Sequence, residues 1–176
     1  VSNAARMQRL VDDLLDLSRI EAGRWIPEPV AVSLESAANE CWAMFADRAA
    51  TRRVTFTRAF APDATTITAD PHAVRHVLQN LVDNALQYTP AGGTVTARVM
   101  DDPFGQVVVL QVEDSGPGIP HAEREQVFQP FYRTLGTDVD GSGLGLAIVR
   151  EIAAQHDAQV TLEDANLRYR PGLSEQ

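Results

Sequence analysis

Apolar residues recur along this chain at two periods, and the switches between the periods mark its elements. Between residues 4 and 22, Met7, Leu10, Leu14 and Leu17 follow the three-then-four spacing of a helix face, broadened by Val11, Leu15 and Ile20. Arg6, Arg9, Asp12, Asp13, Asp16 and Arg19 take the other face, and Gly23 is the expected C-terminal stop. The stripe covers fewer than three heptads, so it suits packing on its own domain or on a partner helix and specifies no coiled coil. It begins without a capping residue, as a piece of a longer helix would. Residues 25–29 read as linker and 30–34 as a short strand. Ser33 caps a second helix reaching about residue 50. Residues 54–60 alternate with period two, 62–64 form a turn, and 66–69 a further strand.

Asp70 and Pro71 then supply an N-cap and first position for a third helix, which Ala91, Gly92 and Gly93 are expected to stop. Leu78, Leu81, Val82, Ala85 and Leu86 make its apolar face, while Asn80, Asn84 and Gln87 share a second one. Residues 94–100 and 106–114 read as a hairpin. A glycine loop, a short helix at 121–127, an amphipathic helix at 143–156 and a strand at 159–163 complete the pattern. Helices and strands mix without regular βαβ alternation. The expected fold is α+β: a two-layer sandwich of a mixed, mostly antiparallel sheet with helices on one face, preceded by one isolated helix.

Composition narrows the chemistry. With 44% hydrophobic and 22% charged residues over 176 positions, the chain has the make-up of a soluble globular domain. No stretch approaches the roughly 20 apolar residues of a membrane span, so no membrane contact is expected of this fragment. A net charge of −9 disfavours nucleic acid. All 15 basic residues are Arg. The absence of Lys excludes a P-loop and Schiff-base chemistry, and leaves Arg, a metal or a helix N-terminus to hold any phosphate. The lone Cys41, in a helical stretch, reads as a small buried apolar side chain and fits an intracellular, cytoplasmic location.

Three segments carry candidate chemistry. Asn is a mediocre helix former, so Asn80 and Asn84 one turn apart suggest work for their carbonyl oxygens, such as holding a hard cation like Mg²⁺. Asp114-Ser115-Gly116-Pro117-Gly118-Ile119 follows a strand directly. Its acid at a strand end can accept the exocyclic amine of adenine where the glycines let the backbone come close. A surface turn explains the same residues. Gly141-Ser142-Gly143-Leu144-Gly145-Leu146 opens a helix with N–H groups that suit an anion. Asp138, Asp140, Ser142 and Gly143 resemble the front of a calcium loop, but Val149 stands where its acid would be. His72 and His76 lie one turn apart, yet no third ligand follows, so no metal site is expected there. His121 and His156 read as surface residues near helix ends.

In this order the three segments resemble the ATP-binding catalytic domain of sensor histidine kinases, which share a nucleotide fold with gyrase-type, Hsp90-type and MutL-type ATPases. Asn80 to Tyr88 would be the N box, Asp114 to Gly118 the G1 box, Phe128-Gln129-Pro130-Phe131-Tyr132-Arg133 the F box, and Gly141 to Gly145 the G2 box. Residues 1–24 resemble the end of a dimerisation and phosphoacceptor hairpin helix, with 25–176 the catalytic domain. The resemblance implies ATP and Mg²⁺ as cofactors. Asn84 would be the Mg²⁺ ligand with Asn80 assisting, Asp114 would read adenine, and Tyr88 would lie against the base. Arg133 would be the lid cation and, with Asn80 and Asn84, catalytic. Gln87, Gly116, Gly118, Ile119, Phe128 and the Gly141, Ser142, Gly143, Leu144, Gly145, Leu146 run complete the nucleotide contacts, and residues 133–142 would form a mobile lid.

The reaction implied is transfer of the ATP γ-phosphoryl to a His on a dimerisation domain of the same protein, absent from this chain, for relay to a response regulator. The full-length protein would be a membrane-anchored homodimer. A non-catalytic nucleotide-sensing scaffold, or an ATPase or Ser kinase of the same fold, is the alternative. Related ATPases carry a Glu base at the position of Asn80, and Asn cannot take a proton from water. Two departures stand out. Gln87 occupies the place of a phosphate-contacting Lys, and the closing strand is represented by no more than its start at Pro171, Gly172 and Leu173.

Overall fold

Thr94–Asp101 is where the period-two pattern becomes a central strand: Val95, Ala97 and Val99 are buried and the residues between them are not. The computed structural model describes residues 3–61, 66–101, 104, 107–132 and 143–165. Among these, strands β1 (Val30–Ser33), β2 (Thr55–Phe60), β3 (Thr66–Ala69), β4 (Thr94–Asp101) and β5 (Val108–Asp114) form two sheets. β1 pairs antiparallel with β3, Val30 opposite Ala69. β4 lies between β2, which runs parallel to it, and β5, which runs antiparallel with Val95 opposite Asp114. The sheets are mixed and mostly antiparallel, as the pattern implied.

The helices are α1 (Asn3–Glu21), α2 (Leu34–Arg52), α3 (Pro71–Tyr88) and α4 (Gly145–Gln155). Ser33 Oγ accepts the N–H of Ser36 at the start of α2. Asp70 Oδ1 accepts the N–H groups of His72 and Ala73 at the start of α3, with Pro71 at the first position. Leu78, Val82 and Leu86 of α3 pack with Leu34 and Trp42 of α2 onto Val95, Ala97 and Val99 of the sheet. A second core lies on the other flank of α3, where Ala73 meets Leu144, Ile148 and Ile152 of the α4 region and Leu17 and Ile20 of α1. The first helix precedes the sandwich as expected but docks on it, while Met7, Val11, Leu14 and Leu15 stay exposed.

Several boundaries differ from the sequence pattern. α3 stops at Tyr88, before the glycines, because Thr89 precedes Pro90 and takes the extended conformation (φ −85°, ψ 121°) that a following proline imposes. The short helix at 121–127 is two 3₁₀ turns, His121–Glu123 and Gln126–Phe128; a run this short cannot repay helix nucleation. α4 starts at Gly145 rather than residue 143. Residues 159–163 alternate in burial at Val160 and Leu162, yet they form no ladder with any described residue. A strand exists only with a partner to take its backbone hydrogen bonds. The turn expected at 62–64 and the segment at 171–173 lie outside the described residues.

Candidate functional site

α3 carries the site because its sheet-facing stripe is anchored along its length, which fixes the direction of every other side chain on it. Asn80 is only 8% exposed. Its Nδ2 donates to the His76 carbonyl at 3.0 Å, which orients the amide and turns Oδ1 toward the start of α4. A Cβ at Gly145 would lie 3.2 Å from that Oδ1, so the glycine is what lets α4 approach. Asn80 and Gly145 are therefore in close approach, and Asn80 is not a solvated surface amide. Asn84, one turn on, is half-buried.

At the far end of α3, the turn after β5 closes against the last helical carbonyl. Asp114 Oδ1 accepts the N–H of Gly116 at 2.9 Å, and a Cβ at Gly116 would sit 2.7 Å from the Tyr88 carbonyl oxygen. No side chain fits there, so Asp114 and Tyr88 are brought to one place by the glycine between them. Tyr88, Gln87, Thr89, Ser115, Gly116 and Pro117, with Arg52 of α2, line an open cleft of about 530 Å³. Thr89 is buried and returns its hydroxyl to the Ala85 carbonyl at 2.6 Å, holding this end of the helix.

The third segment is anchored at its borders. Phe131 N donates to the Gly143 carbonyl at 2.8 Å, and both residues have positive φ, 65° and 74°. A Cβ on Gly143 would come 2.9 Å from Phe131 Cα. The two chain ends flanking 133–142 are thus pinned together. Arg133, Gly141 and Ser142 lie outside the described residues. Phe128 and Leu144 are buried; Phe128 lies under the Arg150 guanidinium of α4, 4.9 Å from the ring centroid. Leu146 is half-buried, Gly118 adopts φ 79°, and Ile119 offers its carbonyl to Arg124 Nε at 3.1 Å.

One acid escaped notice in the sequence. Asp83 is 7% exposed and accepts the guanidinium groups of Arg9 on α1 and Arg48 on α2, as well as Gln87 Nε2 at 3.2 Å. Burial opposes the charge on Arg9, but its hydrogen bond to and attraction by Asp83 outweigh that and hold its pKa above the ordinary value. Gln87 is consequently tied to Asp83, while Arg52 Nη2 donates to the Gln87 carbonyl at 3.1 Å. The only signal in the sequence was an acid at three- and four-residue spacing from Asn80 and Gln87; nothing marked Arg9 and Arg48 as its partners. His156 also differs from expectation. It is half-buried, with Nδ1 2.9 Å from the Ile152 carbonyl oxygen and Nε2 accepting the Asp70 N–H at 3.3 Å. His121 is exposed, as expected.

Residues 69–172 match the family described as histidine kinase-, DNA gyrase B-, and HSP90-like ATPase. The signal transduction histidine-protein kinase/phosphatase MprB of Mycobacterium leprae (strain TN) is 37% identical over 161 residues, covering 90% of this chain and 29% of that protein. The adaptive-response sensory kinase SasA of Synechococcus sp. (strain JA-3-3Ab) is 31% identical over 159 residues, covering 90% and 42%. The chain spans between 19% and 42% of the length of such curated relatives. Among solved structures, the nucleotide-free catalytic domain of histidine kinase ThkA superposes with a TM-score of 0.70 at 28% identity, covering 79% of this chain and 89% of that one. Full-length ShkA in complex with AMPPNP gives 0.73 at 29% identity, covering 87% and 33%. ThkA also has a structure in complex with the response regulator protein TrrA.

Proposed function

Because the chain belongs to the histidine kinase-, DNA gyrase B- and HSP90-like ATPases, and within them is an ATP-binding catalytic domain of the sensor histidine kinase type, we propose that it binds Mg-ATP along α3 and passes the γ-phosphoryl to a His outside this chain. The observation that carries this reading is the convergence on one helix. Asp114 and Tyr88 close on each other across Gly116 at one end, and Asn80 abuts the G2 glycine Gly145 nearer the other. This arrangement supports a purine-reading end and a phosphate end along one helix.

The donor set suits Mg²⁺ only together with a nucleotide. Asn80 and Asn84 offer neutral amide oxygens, and a hard divalent ion needs anionic ones, which the phosphates would bring. Asn84 would be the principal protein ligand, with Asn80 Oδ1 beside it. The ion would neutralise charge on the transferring phosphoryl group. The Asp114 carboxylate, held by the Gly116 N–H, accepts the amine of adenine and repels the carbonyl of guanine. Tyr88 lies against the base, and Arg133 supplies the lid cation. Because neither amide can act as a base toward water, positioning and charge neutralisation supply the rate. Residues 1–24 are the end of the dimerisation hairpin and 25–176 the catalytic domain. The whole protein is a homodimer that relays phosphate to a response regulator. No helix among the described residues is long and apolar enough to cross a membrane.

The test adds a His-bearing dimerisation hairpin and labelled ATP to this chain. Phosphohistidine is the expected product. Free phosphate alone would make the protein an ATPase, and no product with intact nucleotide binding would make it a scaffold. Asn84→Ala should abolish Mg-dependent nucleotide binding in calorimetry; unchanged affinity would remove the metal role.

A further inference from the structure

His76 lacked a third ligand in the sequence, and the fold supplies two from the opposite end of the chain. α1 runs antiparallel along α3: Leu17 and Ile20 share a core with Ala73, Asp16 meets His76, and Arg9 meets Asp83. Asp13 and Asp16 are three residues apart on α1 and so project from one face of it toward α3. One donor atom from each of Asp13, Asp16 and His76 lies within 4.8 Å of the other two.

The spacing is that of an ion pair, and it also fits two ligands of one ion. His76 Nε2 and Asp16 Oδ2 are 3.6 Å apart. That exceeds the roughly 2.7–3.2 Å of an N–H···O bond. It is close to the separation of about 3.4 Å that follows for two ligands at roughly 2.0–2.2 Å from a tetrahedral ion. Beside the trio, a cavity of about 250 Å³, lined by Asp13, His76 and Asn80 among others, leaves room for a water at a fourth position. Arg9, which lines the same cavity, hydrogen-bonds to Asp83 and is attracted by Asp13 as well, an attraction that a bound cation would replace. One imidazole with two carboxylates is a mixed nitrogen and oxygen set, suited to zinc-like ions; Mg²⁺ prefers oxygens and several waters, and Ca²⁺ takes six to eight oxygens.

We infer that Asp13, Asp16 and His76 form a divalent transition-metal site of the zinc class that fastens α1 to α3. The site uses none of the proposed Mg-nucleotide ligands, although Asn80 lines the cavity beside it. It is nonetheless coupled to that set through the backbone, since His76 is the residue whose carbonyl orients the Asn80 amide. A bound ion would fix α1 in its docked position within one helical turn of Asn80.

The test uses the full 176-residue chain, stripped with chelator and free of nucleotide, titrated with zinc chloride by calorimetry and thermal melting. One ion per chain and a raised Tm are expected. His76→Ala and Asp16→Asn should each weaken binding by at least about tenfold, the low end of the cost of losing even an outer-shell partner. His72→Ala should bind as the parent does, and Mg²⁺ at the same concentration should not compete. Far-ultraviolet circular dichroism of the metal-free variants checks that they fold, and Asp16→Asn, nearly isosteric, remains informative if His76→Ala does not. Absence of saturable binding by the parent chain, or undiminished binding by Asp16→Asn, would overturn the site.

Discussion

Removing the Asp83 carboxylate tests whether charge, and not apolar contact alone, holds α1 and α2 to α3. Asp83 accepts from both Arg9 and Arg48, and its side chain is 10% exposed against 41% and 36% for the two guanidinium groups. Breaking a fully buried pair costs about 3–5 kcal/mol, whereas exposed pairs are worth about 0.2–1. With the acid buried but each cation more than a third exposed, solvent screening places each pair at the top of the exposed range, about 1 kcal/mol. Asp83→Ala should therefore cost about 2 kcal/mol and, for a domain of this length, about 4–8 °C in Tm. The assay is a double-mutant cycle of Asp83→Ala and Arg9→Ala by urea unfolding, since guanidinium chloride would itself screen the charges. A coupling of about 1 kcal/mol is expected, falling by half or more in 1 M NaCl, where the screening length is about 3 Å. If the two substitutions add to within about 0.3 kcal/mol, the Arg9–Asp83 pair contributes nothing to docking α1.

The acid limb of stability should depend on Asp70. The N–H groups of Glu28, Ala73 and His72 outweigh the effect of burial and hold its pKa below the ordinary carboxylate range. The unfolded chain therefore binds the proton more tightly, so the stabilisation is complete above about pH 4 and is lost as pH falls through the folded value. Asp70→Asn keeps a capping oxygen and should flatten the fall of the unfolding midpoint below about pH 4; an unchanged acid slope would refute the assignment. Gly116→Ala would place a methyl against the Tyr88 carbonyl oxygen. It should weaken ATP binding by about tenfold or more, roughly 1.4 kcal/mol, and calorimetry showing parental affinity would separate the turn from the base site. Burial raises the Cys41 thiol to about 12, so it should resist a thiol reagent at pH 8 in the folded chain and react once unfolded. Equal rates in both states would contradict its burial.

The sequence alone determined what repeats locally. Three- and four-residue spacing marked α1, α3 and α4, alternation marked β2, and the caps Ser33 and Asp70 set the starts of α2 and α3 to the residue. Asn80, Asn84, Asp114 and the glycines could be singled out as candidates, because amide oxygens, one acid and side-chain-free backbone are scarce enough in such places to need a reason. Tertiary structure decided what depends on residues far apart meeting. That Gly116 must lack a side chain because of Tyr88, and Gly145 because of Asn80, follows from helix–turn and helix–helix approach that no local spacing encodes. Asp83 looked like any polar residue of a helix face until Arg9, 74 positions away, and Arg48 closed on it. Likewise Asp13 and Asp16 read only as part of the charged face of α1, and its antiparallel course along α3 puts them beside His76. The physical reason is one of range. Propensity, capping and periodicity act within a few residues, whereas ion pairs, ligand sets and close backbone approach need the chain to pay its loop entropy first and form afterwards.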